Sequence, residues 1–99
     1  MEALRTMIVR FTRRAQADLE GILGYLEQRS PEGARVVAIG LRQTIEVLAS
    51  HPMSGASTGR PRVFVKIVPH YPYKVFYRLE KDFIDILHIR HSARRPWIV

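Results

Sequence analysis

The side chains best suited to chemistry fall late in this chain: Lys66, His70, Arg78, His88, His91 and Arg94. Histidine gives or takes a proton near neutral pH. Together with cations it could cleave a ribonucleotide chain. That reaction needs a base for the 2′-hydroxyl, an acid for the leaving 5′-oxygen and positive charge for the phosphorane. His88 reads instead as a half-buried strand histidine, whereas His91 ends its strand and suits either role. Arg94 and Arg95 lead as contact residues, because guanidinium forks match carboxylates and phosphates. Trp97 either caps the helical layer or meets a partner. No His or carboxylate pair has ligand spacing, so neither a metal nor a cofactor is expected.

Charge points the same way. The 99 residues carry 16 Lys and Arg against 9 Asp and Glu, a net charge of +7. From Arg60 to Arg95 there are nine basic and three acidic residues. Such a face predicts a polyanionic partner. There is no cysteine, hence no disulfide framework and no thiolate metal site. No apolar run approaches the roughly 20 residues of a membrane span, and the start MEALRT is no secretory signal. The expectation is one cytoplasmic domain over 1–99, with residues 1–6 an extension before Met7.

These side chains need a frame, and Tyr71 to Trp97 supplies most of it. Tyr73–Glu80 and Phe83–Ile89 are rich in branched and aromatic residues, and Lys81-Asp82 between them predicts a tight hairpin. Alternation places Phe83, Leu87 and Ile89 on one face and Ile84, Ile86 and His88 on the other. Upstream, Met7–Phe11 reads as a short strand, and Thr12 as the cap of a helix over Arg13–Arg29. Ala15, Leu19, Ile22, Leu23 and Leu26 form its buried stripe. Asp18 and Glu20 suit the positive end of its dipole. Arg13 and Arg14 oppose that trend, which reserves them for a partner. Gly21 and Gly24 either admit a neighbouring backbone or are simply tolerated. Ser30-Pro31-Glu32 starts a second helix over Glu32–Ser50, folded back on the first and ended by His51-Pro52. Met53–Pro61 reads as loop and Arg62–Val68 as strand. Tyr71, Tyr73 and Tyr77 read as core and hairpin packing.

The order strand–helix–helix–strand–strand–strand predicts a two-layer α+β fold. An antiparallel helix hairpin covers one face of a largely antiparallel four-stranded sheet. The other face is expected to stay partly open and to carry Lys66, Arg78 and one of His88 or His91.

In that order the chain resembles the RelE/ParE superfamily of bacterial toxins from type II toxin–antitoxin modules, and its ParE branch more closely. The resemblance rests on Ile8-Val9-Arg10-Phe11-Thr12 with Ala15 and Asp18-Leu19, then His51-Pro52 with Gly55 and Gly59-Arg60. It continues through Tyr71-Pro72-Tyr73 to Val75-Phe76-Tyr77-Arg78, then Ile86-Leu87 to Arg90-His91 and Ala93-Arg94-Arg95-Pro96-Trp97. It implies a growth-inhibiting toxin held silent, in a hetero-oligomer, by a cognate antitoxin. An acidic amphipathic antitoxin segment would lie in an apolar groove and meet Arg60, Arg62, Arg78, Arg94, Arg95 and Trp97. The ParE branch implies inhibition of DNA gyrase with trapping of cleaved DNA. The alternative, from the RelE branch, is ribosome-dependent cleavage of messenger RNA. RelE-like toxins place basic residues on the open sheet face and a Tyr or His after the last strand. Here His91 alone fits the latter, so that alternative implies His91, Lys66 and Arg78 as its catalytic residues, and the ParE reading implies none. A plain nucleic-acid-binding module is a third reading, without a glycine-rich phosphate loop, helix-turn-helix or RNP-type motif to support it.

Overall fold

The computed structural model describes residues 6–92. It contains strand β1 (Ile8–Phe11), helices α1 (Arg13–Arg29) and α2 (Pro31–Ser50), and strands β2 (Ala56–Ser57), β3 (Val63–Ile67), β4 (Tyr73–Leu79) and β5 (Phe83–His91). The sheet order is β1-β5-β4-β3-β2. β1 runs parallel to β5, and every other pair is antiparallel. The α+β class and the helix hairpin are as expected. The sheet differs in having a fifth strand: Ala56 and Ser57 pair with Val65 and Phe64, within the segment read as loop.

Local chemistry sets the helix ends. The Thr12 hydroxyl accepts the Ala15 N–H at 3.1 Å and donates to the Ile86 carbonyl at 3.0 Å, so the α1 cap also ties it to β5. Ser30 does two jobs. Its N–H donates to the Leu26 carbonyl, closing α1, and its hydroxyl accepts the Gly33 N–H, opening α2. Pro31 then supplies a first helical residue whose missing N–H costs nothing. The first turn of α1 holds no acid, so Asp18 has a different task from complementing the dipole.

The core lies between the helices and the odd-numbered face of β4. Tyr73, Val75 and Tyr77 pack with Val37, Leu41 and Leu48 of α2, Ala15 of α1, and Ile84, Ile86 and Ile89 of β5. Tyr77 is fully buried. Its hydroxyl donates to the Pro52 carbonyl at 2.8 Å and accepts the Gly55 N–H at 3.0 Å. A Cβ at Gly55 would lie 2.8 Å from the Val65 carbonyl oxygen, so the segment tucks over the sheet only because that side chain is missing. Among the described residues nothing lies within 4 Å of a Cβ at Gly21 or Gly24, outside the helix itself.

A register shift between Phe76 and Tyr77 alters the expected alternation. Tyr77 pairs with Ile86 and Phe76 with His88, leaving Leu87 as the extra residue. Ile89 thereby joins Ile84 and Ile86 on the core face, instead of sharing the face of Phe83.

Candidate functional site

β1 pairs with β5 only as far as Ile86, so among the described residues no strand covers the edge of the rest of β5 on that side. α1 follows β1 after one residue and passes along this edge. Asp18 satisfies it: Oδ2 accepts the Ile89 N–H at 3.0 Å and lies 2.5 Å from His88 Nδ1. Arg14 completes the chain, with Nη2 3.3 Å from His88 Nε2 and Nε 3.4 Å from Asp18 Oδ1. Arginine only donates, so Nε2 accepts and the proton of the neutral ring is assigned to Nδ1, facing Asp18. His88 is 5% exposed and its ring stacks on Phe76, with centroids 5.9 Å apart. His91 meets the edge of Tyr73 at 5.5 Å. Beside these residues a pocket of about 560 Å³ opens, lined among others by Arg14, Asp18, Tyr25, His88, Arg90 and His91.

A second concavity, of about 490 Å³, lies between α2 and the β3–β4 turn. Val36, Ile39, Gly40 and Val47 line it from α2, and Lys66, His70 and Tyr71 from the sheet side. A Cβ at Gly40 would stand 3.0 Å from the Tyr71 ring, so this glycine lets the ring lie close to the helix. The turn holds His70 in a left-handed conformation, φ 72°. Ile39 is 43% and Val47 42% exposed, which leaves an apolar stripe open to solvent.

The residues expected to act together are dispersed. Lys66 pairs with Val75 and so shares the helix-side face, where it lines the α2 groove. Arg78 pairs with Val63 and Asp85 and lies on the opposite face. His91 lies in the α1 pocket. By register the face away from the helices carries Arg78 and, opposite Phe76, His88, but not Lys66 or His91. Arg78 Nε is 3.2 Å from Glu80 Oε2 without its N–H being aimed there, and Arg62 Nη1 donates to Glu80 Oε1 at 2.9 Å. Arg60 is exposed on the β2–β3 loop. Arg94, Arg95 and Trp97 lie outside the described residues. Two pocket residues, Asp18 and Tyr25, are not among the sequence candidates. Arg14 and Asp18 stand four apart on one helix face, a spacing that signals their pairing but not His88 beyond it. Among the described residues no group of three or more His, Asp or Glu side chains could hold a metal ion. No helix there is long and apolar enough to cross a membrane.

Residues 9–96 match the family model of the ParE toxin of type II toxin–antitoxin systems, parDE. The chain belongs to the ParE toxin family. Among curated relatives of this ParE-family chain, Toxin RelE2 of Caulobacter vibrioides is 38% identical over 85 residues, covering 85% of this chain and 93% of that protein. Toxin ParE1 of the same organism is also 38% identical, over 88 residues, covering 86% and 92%. In fold it is similar to a chain of the chromosomal ParDE system of P. aeruginosa, with a TM-score of 0.75, 23% identity and coverage of 88% of this chain and 97% of that one. A chain of the RelBE2 complex of Mycobacterium tuberculosis gives 0.60, again at 23% identity, covering 87% and 98%. The relatives thus carry both ParE and RelE names, and the shared fold does not separate the two activities.

Proposed function

We propose that this toxin is silenced by a cognate antitoxin and that, once free, it inhibits DNA gyrase by trapping the cleaved DNA complex. The observation that carries the choice of target is the separation of Lys66, Arg78 and His91. Base, acid and cation must surround one phosphate, and these three open into a groove, a pocket and the opposite sheet face. That leaves the ribonuclease alternative without its expected constellation, whereas the ParE family match runs through nearly the whole chain.

The antitoxin part rests on the groove beside α2. An amphipathic helix laid there would cover Val36, Ile39 and Val47 and bring an acidic residue to Lys66. Arg60, Arg62 and Arg78 offer further cations for acidic contacts of the antitoxin or the target, and Arg94, Arg95 and Trp97, outside the described residues, are assigned to such contacts from the sequence. The two similar solved chains come from a toxin–antitoxin system and a toxin–antitoxin complex, in keeping with a hetero-oligomer. The test is a gyrase supercoiling assay with the purified chain. Inhibition that the antitoxin reverses supports the reading, and full supercoiling activity at saturating toxin contradicts it.

A further inference from the structure

The pocket between α1 and the end of β5 belongs to neither the antitoxin groove nor the expected catalytic trio, and its chemistry is specific. Its one carboxylate among the described residues, Asp18, is already occupied by the Ile89 N–H, His88 Nδ1 and Arg14 Nε. Arg14 and Arg90, its guanidiniums among the described residues, come from different elements. The Arg14 side chain is 59% exposed despite its contacts, and Arg90 has no acidic partner among the described residues. The wall also holds Tyr25, an exposed ring on α1 with the Arg29 guanidinium 4.5 Å from its centre. Two cations and an exposed aromatic ring suit a nucleotide better than a bare carboxylate, which has no use for the ring.

We propose that this pocket takes one nucleotide of a single-stranded nucleic acid, with its phosphodiester between Arg14 and Arg90 and its base against Tyr25. The proposal goes beyond the gyrase and antitoxin reading and stands or falls without it. The phosphodiester is common to DNA and RNA. His88 acts here as a positioning residue: its ring, fixed by Asp18, holds the Arg14 guanidinium at the pocket wall.

The experiment is fluorescence anisotropy of short labelled oligothymidylate and oligouridylate with the full chain at low salt. Arg14→Gln and Arg90→Gln are each expected to weaken binding about tenfold, the loss typical of a charge-assisted hydrogen bond. Tyr25→Ala is expected to weaken it about fivefold or more. The control is Arg35→Gln, which removes the same charge from an exposed pair with Glu32 on α2 and should change affinity less than about twofold. Arg14 also contacts Asp18 and His88, so Arg90→Gln and Tyr25→Ala keep the test sound if Arg14→Gln unfolds. Loss at these positions with both strands supports the site, and the tighter strand names its source. Equal loss with Arg35→Gln, or none with Tyr25→Ala, overturns it in favour of diffuse attraction by net charge.

Discussion

Asp18 and His88, seventy positions apart on α1 and β5, are joined through Oδ2 and Nδ1 at 2.5 Å. The same carboxylate oxygen caps the Ile89 N–H. One side chain thus closes a sheet edge that β1 is too short to cover, and fixes the imidazole of a buried histidine. The helix is held to the strand by this polar contact as well as by the apolar stripe of Leu19, Ile22 and Leu26.

Replacing Asp18 by Ala should therefore cost more than an ordinary helix substitution. It leaves His88 Nδ1–H and the Ile89 N–H without that acceptor where water has little access. A loss of about 2–4 kcal/mol is expected, summed over two orphaned donors. Urea unfolding followed by circular dichroism measures it. A change below about 0.5 kcal/mol would show that the contact carries no weight.

Tyr77 links stability to pH. Burial pushes its phenol above the ordinary value of 10.0, and the Gly55 amide draws part of that back. A raised pKa means that the folded state holds the proton more tightly. The contribution is whole below pH 10 and is lost as pH rises through the folded value. Tyr77→Phe should cost about 1–2 kcal/mol at pH 8, from the lost bonds to Pro52 and Gly55. Its deficit against the parent should narrow above pH 10. Parallel urea curves at pH 8 and 10.5 read both effects, and a deficit that widens at the higher pH would contradict the assignment.

Much of this frame is legible from sequence, because it depends on contacts within a few residues. Thr12 and Ser30-Pro31 mark the helix starts, and Lys81-Asp82 sets the turn that the Glu80 N–H to Phe83 carbonyl bond closes. Faces across strands are not local. Even-numbered residues of β3 share a face with odd-numbered residues of β4, through a register set by the turn at His70. That parity alone puts Lys66 and Arg78 on opposite sides. The extra residue at Leu87 does the same to Ile89. β2 is two small residues held by β3, with no pattern of its own. The α1 pocket needs residues seventy positions apart, and single-chain periodicity has no means of pairing them.

The groove beside α2 can be closed to an antitoxin without harming the fold. Ile39 and Val47 are about two-fifths exposed, so Ile39→Glu or Val47→Glu should shift stability by only about 0.5 kcal/mol. Each puts a charge where an apolar anchor would sit and should weaken the antitoxin complex about tenfold or more. Calorimetry with the cognate antitoxin measures this. Unchanged affinity in both variants would place the antitoxin elsewhere.

Salt should act on the rate of that complex more than on its final strength. The +7 net charge steers an acidic segment from a distance, while the apolar contacts that hold it are short-ranged. Raising sodium chloride from about 50 to 300 mM, across which the screening length roughly halves, should slow association more than it speeds dissociation. Surface-based kinetics shows which constant moves. Association rates indifferent to salt would remove electrostatic steering from the account.

The target is tested most directly by running the purified chain on gyrase supercoiling, with detection of trapped cleaved DNA, beside messenger cleavage on programmed ribosomes. The account predicts gyrase inhibition with cleaved DNA accumulating, intact messenger, and loss of inhibition in a chain carrying Arg94→Ala and Arg95→Ala. Ribosome-dependent messenger cleavage with gyrase unaffected would contradict it.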